Sequence, residues 1–179
     1  MTVLTIPNVV TFVRIVLIPV FVAAVMYQAY LYALPLFAAA GVSDALDGLL
    51  ARLTGQKSPL GAFLDPLADK FLLSTSFILF SVYGFMPKWL TITVISRDII
   101  ITLGWLALYL IHDVTRVAPS ILGKMANASQ MILVAYILLD INFDALREPG
   151  LWAMWTVATL TIVSGLQYMY QAVMRADQE

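Results

Sequence analysis

The sequence predicts an all-α integral membrane protein with six transmembrane helices. Apolar residues make up 61% of the 179-residue chain and charged residues 12%, about half the charged share usual in a soluble domain. The mean hydropathy is +0.90, and the apolar residues form runs close to the roughly 20 that a helix needs to cross a bilayer. Because no linker is long enough to separate two domains, we expect one membrane domain over residues 1–179.

Three predicted helices occupy the first half of the chain, at about residues 9–28, 30–53 and 60–83. The first run has no basic segment before it, and its first positive charge, Arg14, lies inside it. A cleaved signal peptide has the opposite arrangement, so we expect a helix of the mature protein. The stretches "YQAY" and "TGQKSP" separate these three runs and have the polar and turn-forming residues of loops.

Three further helices are predicted at about residues 89–111, 120–139 and 151–174. The stretches "GFMPK", "HDVTRVAP" and "DINFDALREPG" precede them in turn. Trp89, Trp152 and Trp155 fall near predicted helix ends, where amphipathic rings favour the headgroup region.

The loop charges predict the orientation of the bundle. Six spans place both termini on one side, whose loops and tail carry more basic residues than the other side: Arg52, Lys57, Arg116 and Arg175 against Lys88 and Arg147. The positive-inside rule then predicts cytoplasmic termini in a multi-pass protein, which we expect in the inner membrane of a prokaryote.

The segment "SDALDGLLARLTGQKSPLGAFLDPLADK", residues 43–70, holds seven of the 10 basic and 11 acidic residues. An ionised side chain at bilayer depth costs at least about 2.5 kcal/mol, so such a concentration suggests a function. Asp44 and Asp47 are three residues apart, and Asp65 and Asp69 are four apart. On helices both spacings place the pair on one face, and two facing helices would present four carboxylates to one polar cavity, which we expect to open to the cytoplasmic side.

Four carboxylates in one cavity repel one another unless cations fill it. Mg²⁺ and Mn²⁺ suit an all-oxygen site, and the chain has no cysteine and one histidine. Two ions about 3.5–4 Å apart are a recurrent device for transferring phosphoryl-type groups. Two other interpretations remain open at this point. The aspartates could be salt-bridge partners of Arg52, Lys57 and Lys70, or they could line the cation or proton pathway of a transporter.

The same segment has the pattern D-x2-D-G-x2-A-R-x8-G-x3-D-x3-D. This pattern resembles the signature of the CDP-alcohol phosphatidyltransferases, and it matches at every fixed position: Asp44, Asp47, Gly48, Ala51, Arg52, Gly61, Asp65 and Asp69. The N-terminal "IPNVVTFVRIVLIPVF" and the six-helix layout are similar to the glycerol-type branch of that family. The resemblance therefore covers most of the chain.

The resemblance implies a reaction, two metal ions and a set of site residues. A CDP-linked lipid such as CDP-diacylglycerol binds with its diphosphate on the ions, an alcohol attacks the phosphorus that carries the lipid, and CMP leaves. The implied metal ligands are Asp44, Asp47, Asp65 and Asp69, with Asp69 also the general base. The implied CDP-binding residues are Asp44, Gly48, Ala51, Arg52 and Gly61. The resemblance also implies a homodimer.

Two segments bear on the acceptor alcohol. "ISRDIIITLGWLAL" and "GKMANASQMILVAY" stand where phosphatidylglycerolphosphate synthases of this family carry an Arg-Glu pair and a Gly-Lys-x-Lys run. Arg97 and Lys124 are retained, while the acid is Asp98 and Ala126 replaces the second lysine. This favours glycerol-3-phosphate as the acceptor, held by two cations.

The same segments leave two alternatives open. The pattern K-x-x-N-x-x-Q, from Lys124 to Gln130, also resembles eukaryotic-type cardiolipin synthases, whose acceptor is phosphatidylglycerol. Arg97 and Asp98 can also be read as a plain intramembrane ion pair.

Near the N-terminus, Asn8 and Arg14 lie along one side of the first predicted helix, together with Thr11. One interpretation has Asn8 and Arg14 approach the phosphates of the lipid substrate. In the alternative, Arg14 snorkels to the cytoplasmic headgroups.

Overall fold

The computed structural model describes the backbone of residues 6–54, 59–112, 120–143 and 150–176. Side chains are described for residues 12–43, 68–104, 120–143, 150–171 and 174. Within these ranges the chain forms six α-helices, which confirms the all-helical fold and the order of the elements. They are α1 (Ile6–Met26), α2 (Tyr30–Thr54), α3 (Pro59–Val82), α4 (Lys88–His112), α5 (Ile121–Phe143) and α6 (Leu151–Ala176).

Two tight turns connect α1 to α2 and α3 to α4. Gln28 has φ 58° and Gly84 has φ 83°, the left-handed conformation that commonly ends a helix. After α3, the backbone N–H of Phe85 donates to the carbonyl of Phe80 at 2.8 Å, which satisfies a carbonyl left open by the end of the helix. These turns define what we call the short-loop end of the bundle, residues 27–29 and 83–87.

Contacts between helices show which helix ends meet at the short-loop end. The Tyr83 hydroxyl donates to the Met26 carbonyl at 3.0 Å, and the Asn142 amide donates to the Tyr30 carbonyl at 3.0 Å. The C-terminal ends of α1, α3 and α5 therefore lie beside the N-terminal end of α2. The opposite end, called here the polar end, contains the N-terminal ends of α1, α3 and α5.

The apolar core lies between the helices and extends from the short-loop end towards the middle of the bundle. Phe21, Phe77, Phe80, Leu90 and Val94 are fully buried. Helix α1 packs against α2 and α3, α4 packs against α3 and α6, and α5 packs against α2, α3 and α6. This core fixes the relative positions of the helices that carry polar residues at the other end.

Many large apolar side chains are exposed on the outside of the bundle, among them Phe12, Ile92, Ile132 and Trp152. Among the described residues, one helix, α5, is long and apolar enough to cross a membrane. Shorter apolar helical stretches run over Phe12–Met26 and Tyr30–Ser43. Six complete membrane spans remain a prediction.

Candidate active site

Helices α1 and α3 bring a buried arginine against one aspartate of the signature. The Nη1 atom of Arg14 donates to Oδ1 of Asp69 at 2.9 Å. The Arg14 side chain is 0% exposed, whereas the Asp69 side chain is 36% exposed. Arg14 therefore does not snorkel to the headgroups, and that interpretation is wrong. A guanidinium buried at this depth needs a charged or hydrogen-bonding partner, and Asp69 is one.

The backbone places the other signature residues on the two helices that pack against α1. Asp44 and Asp47 lie in the C-terminal half of α2, and Asp65 lies one turn before Asp69 in α3. The side chains of these three aspartates fall outside the described part of the chain. The same is true of Asn8 in α1 and of the other predicted binding residues in α2 and α3: Gly48, Ala51, Arg52 and Gly61. Their convergence on one cavity remains a prediction.

The predicted ligands suit a hard divalent cation by their chemistry. All four are carboxylates, and Mg²⁺ and Mn²⁺ prefer oxygen donors. Asp69, the one of the four whose side chain is described, keeps 36% of it exposed although Arg14 contacts it. An ion can therefore reach Asp69 from the open side.

A second polar centre surrounds Arg97 at the interface of α4, α5 and α6. The Nε atom of Arg97 donates to the Ser164 hydroxyl at 3.1 Å, and Nη1 donates to Oδ1 of Asp98 at 2.8 Å and to Oδ1 of Asn127 at 3.2 Å. Arg97 is 8% exposed. Its guanidinium is thus fixed by three groups from three helices, whereas a lone ion pair would leave it free to rotate.

One edge of this guanidinium faces the start of α5. A Cβ atom placed on Gly123 would lie 3.4 Å from Nη2 of Arg97, so the backbone of the first turn approaches that nitrogen closely. The Gly123 N–H donates to the Ser120 hydroxyl at 3.0 Å, which makes Ser120 the N-cap of α5. Lys124 follows Gly123 and is exposed. The backbone of the turn that carries Lys124 therefore approaches Arg97.

Lys70, on helix α3, lies close to this centre. The Nζ atom of Lys70 donates to the Thr102 hydroxyl at 2.7 Å, and Thr102 donates to the Asp98 carbonyl at 2.7 Å. Lys70 also lies close enough to Asp98 and Arg97 for a charge–charge interaction. Asp69 and Lys70 are neighbours on α3, and Asp69 faces Arg14 of α1 while Lys70 faces α4. The Arg14–Asp69 pair and the polar centre around Arg97 are thus linked through these two adjacent residues.

The sequence alone did not assign a site role to Lys70, although a lysine inside a predicted span is a signal in itself. Nor did it indicate Ser164, because a lone serine in an apolar helix can have many roles.

The polar interface continues along α5 beyond Asn127. Gln130 is fully buried and donates to the Thr161 hydroxyl at 3.0 Å. Ser164 and Thr161 lie three residues apart on α6, so the polar interface extends about one turn into the bundle.

An apolar groove of about 600 Å³ lies between α1 and α2 at the short-loop end. It is distant along α1 from Arg14 and is lined by side chains without charge: Val20, Ala23, Ala24, Tyr27, Ala29, Tyr32, Pro35 and Leu36. These residues offer no ligand for a metal ion or a phosphate. The groove is therefore not the candidate active site.

Comparison with known proteins agrees with the signature. The sequence model of the CDP-alcohol phosphatidyltransferase family matches residues 4–163. The CDP-diacylglycerol–glycerol-3-phosphate 3-phosphatidyltransferase of Escherichia coli (strain K12) is 36% identical over 181 residues, which cover 96% of this chain and 96% of the relative. The Bacillus subtilis (strain 168) protein of the same name is 34% identical over 179 residues, 90% of this chain and 92% of the relative. The cardiolipin synthase (CMP-forming) of Rattus norvegicus is 34% identical over 182 residues, 93% of this chain and 60% of that protein.

Proposed function

The chain belongs to the CDP-alcohol phosphatidyltransferase family and is a transferase, and from this premise we propose that it makes phosphatidylglycerophosphate. The reaction transfers a phosphatidyl group from CDP-diacylglycerol to glycerol-3-phosphate, releases CMP and depends on Mg²⁺ or Mn²⁺. The relatives in E. coli and B. subtilis carry names for this reaction and match nearly their whole length.

The observation that carries the choice of acceptor is the position of Arg97. Its guanidinium is held by Ser164, Asp98 and Asn127, and its Nη2 edge faces the first turn of α5 next to Lys124. The N–H of Gly123 in that turn already donates to the Ser120 hydroxyl, so the charged side chains carry the proposal. Arginine and lysine together suit the phosphate of a small acceptor.

In the proposed mechanism Arg97 and Lys124 bind the acceptor phosphate and so orient the acceptor hydroxyl towards Asp69. The carboxylate of Asp69 takes the hydroxyl proton while the oxygen attacks the phosphorus that carries the diacylglycerol. The bond between that phosphorus and the CMP oxygen breaks, and CMP leaves. Metal ions bound by Asp44, Asp47, Asp65 and Asp69 would neutralise the diphosphate. Arg14 holds the Asp69 carboxylate in place.

This activity places the protein in a membrane, with the polar end towards the compartment that holds the water-soluble acceptor. The excess of basic residues in the loops of that end supports a cytoplasmic orientation. We propose the inner membrane of a prokaryote as its location and a homodimer as its assembly. CDP-diacylglycerol would enter from the bilayer.

Phosphatidylglycerol is a second candidate acceptor, and one feature favours it. Asp98 neutralises part of the charge of Arg97, and Ala126, which stands in place of a second lysine, is fully buried. A lipid acceptor is anchored by its acyl chains and needs less electrostatic capture than a small dianion. In that case the enzyme would be a cardiolipin synthase, like the rat relative.

An acceptor panel separates the two candidates. Purified protein with CDP-diacylglycerol and Mg²⁺ or Mn²⁺ receives glycerol-3-phosphate, phosphatidylglycerol, inositol phosphate or serine in turn, and CMP release is measured. We expect release with glycerol-3-phosphate. Lys124→Ala should then raise the KM for that acceptor, with a loss on the order of 1.5–3 kcal/mol for a charged hydrogen bond.

Lys88→Ala is the matched control, because Lys88 is an exposed lysine at the short-loop end. It should leave the KM unchanged. Activity with phosphatidylglycerol and none with glycerol-3-phosphate would replace the first candidate by the second.

A further inference from the structure

Lys70 is a half-buried lysine to which the proposed function assigns no role. It lies on α3 directly after Asp69, and its ammonium group reaches across to α4, where Thr102 accepts a hydrogen bond at 2.7 Å. An ammonium group has three N–H donors, and this is the one hydrogen bond that the described residues give it. Two donors therefore remain for a ligand.

The charges around Arg97 indicate what that ligand is. Asp98 pairs with Arg97 at 2.8 Å, so these two groups together supply no net charge. Lys70 interacts with both through space, so these three side chains carry one net positive charge. Lys124, exposed in the first turn of α5 beside Gly123, adds a second cation to the turn that approaches Arg97. The two lysines together supply charge that suits a phosphate dianion.

Lys70 also compensates for the residues that the chain lacks. Ala126 stands in the place of a second lysine on α5, and its side chain is fully buried, so this position cannot serve a ligand. An ammonium group from α3 can supply the missing charge from the other side of the site. Lys70 directly follows the proposed base, Asp69, on the same helix.

We propose that Lys70 binds the phosphate of the acceptor together with Arg97 and Lys124, and so makes the enzyme selective for a phosphorylated alcohol. This inference rests on the proposed function. Thr102 positions the ammonium by accepting one hydrogen bond, while its own hydroxyl is fixed on the Asp98 carbonyl at 2.7 Å. Lys70 thereby connects acceptor binding to the helix that carries Asp69.

The test compares Lys70→Met with wild type in the purified full-length protein, with KM and kcat measured for glycerol-3-phosphate at saturating CDP-diacylglycerol. Methionine keeps most of the apolar stem and removes the charge. We expect the KM to rise about 10-fold or more, the loss of one charged hydrogen bond, while the KM for CDP-diacylglycerol stays the same. Turnover of unphosphorylated glycerol, the neutral acceptor, should not fall.

Three further variants separate charge from packing. Lys70→Arg, which keeps the charge, should restore most of the affinity. Thr102→Val removes the hydroxyl that positions the ammonium but leaves its charge, and should raise the KM less than Lys70→Met does. Lys88→Met, a lysine at the short-loop end, should behave as wild type. If Lys70→Met does not fold, Lys70→Arg and Thr102→Val still test the proposal, because the KM of each can be compared with that of wild type.

An unchanged KM in Lys70→Met, or an equal loss with glycerol and glycerol-3-phosphate, would overturn the role of Lys70 while the proposed function stands. A KM for Thr102→Val indistinguishable from that of wild type would do the same, whereas a KM near that of wild type is the expected result for Lys70→Arg. A wild-type enzyme that turns over no glycerol-3-phosphate but accepts another alcohol would overturn the proposed function and this inference together.

Discussion

Asp69 is held in place by a residue 55 positions away in the sequence. Its Oδ1 atom accepts a hydrogen bond from the buried guanidinium of Arg14, and more than a third of its side chain remains exposed. A carboxylate that an arginine holds and that stays partly exposed suits a group that must meet an incoming hydroxyl in one orientation. This arrangement supports the proposal that Asp69 accepts the proton, with Arg14 as its positioning residue.

Replacing Asp69 by asparagine tests that role. Asparagine keeps the size of the side chain and one oxygen for Arg14, but it cannot take a proton at neutral pH. We expect kcat to fall by about 100-fold or more, the range for loss of a general base. CDP binding, measured by equilibrium titration with CDP in the presence of Mg²⁺, should persist more than turnover does, because three aspartates remain.

Asp44→Asn and Asp47→Asn should instead weaken metal and CDP binding together. Asp140→Asn is the control, since Asp140 lies near the C-terminal end of α5, close to the short-loop end. Near wild-type turnover in Asp69→Asn would eliminate Asp69 as the base.

At this scale the sequence signature predicts the aspartates as site residues, and two further segments predict the cations Arg97 and Lys124. It could not identify their partners. Ser164 reaches Arg97 from 67 residues away, and Arg14 could equally well have extended to the headgroups, because a lone arginine near a helix end is compatible with both. Only the packing of α1 on α3 decides between these.

Between elements, the close approach of α6 to α4 positions Arg97. A Cβ atom on Gly165 would lie 3.2 Å from Cγ of Arg97, tighter than ordinary van der Waals contact. Because three hydrogen bonds fix the guanidinium, its stem has little freedom to move away. A glycine at this position on α6 therefore leaves room for Arg97, whose guanidinium belongs to the proposed acceptor site.

Gly165→Ala should displace Arg97 by a few tenths of an ångström and raise the KM for glycerol-3-phosphate about 3- to 10-fold, because charged hydrogen bonds weaken as their geometry is lost. The matched control is Gly41→Ala. There the nearest atom is the terminal methyl of Met131, 2.8 Å from the added Cβ, and a flexible methionine can move aside. Steady-state kinetics of both variants check this, and equal KM values would contradict the positioning role of Gly165.

The sequence predicted the ends of the fourth and sixth helices to within two residues. The fourth helix was expected at residues 89–111 and runs over Lys88–His112, and the sixth was expected at 151–174 and runs over Leu151–Ala176. The fifth was expected at 120–139 but continues to Phe143. Its extra turn contains Asp140 and Asn142, residue types that are typical of loops. Asn142 is accommodated because its amide donates to two carbonyls, those of Tyr30 and Leu138.

In the whole molecule, six apolar runs predicted the helical bundle, and one concentrated polar segment predicts where its function lies. The spacing of Asp65 and Asp69 predicted a shared helix, and α3 contains both. The second polar centre was less accessible to prediction, because it depends on how α3, α4, α5 and α6 pack. Lys70, Arg97 and Asn127 come from three of these helices, and no local pattern records their meeting.

Two polar centres link the helices. Arg14 and Asp69 connect α1 to α3, Lys70 connects α3 to α4, and Arg97 connects α4 to Asn127 of α5. The apolar residues pack towards the short-loop end. This division fits the proposed function, in which a water-soluble acceptor enters at the polar end and a lipid substrate approaches from the apolar outer surface.

The most direct test of this account follows labelled glycerol-3-phosphate into lipid. Purified protein in vesicles that contain CDP-diacylglycerol should convert the label to a phospholipid and release one CMP for each molecule converted. The reaction should need Mg²⁺ or Mn²⁺ and stop when a chelator removes the ion. Saturating metal with neither CMP nor labelled lipid would contradict the account, and an ion flux across sealed vesicles in their place would support a transporter.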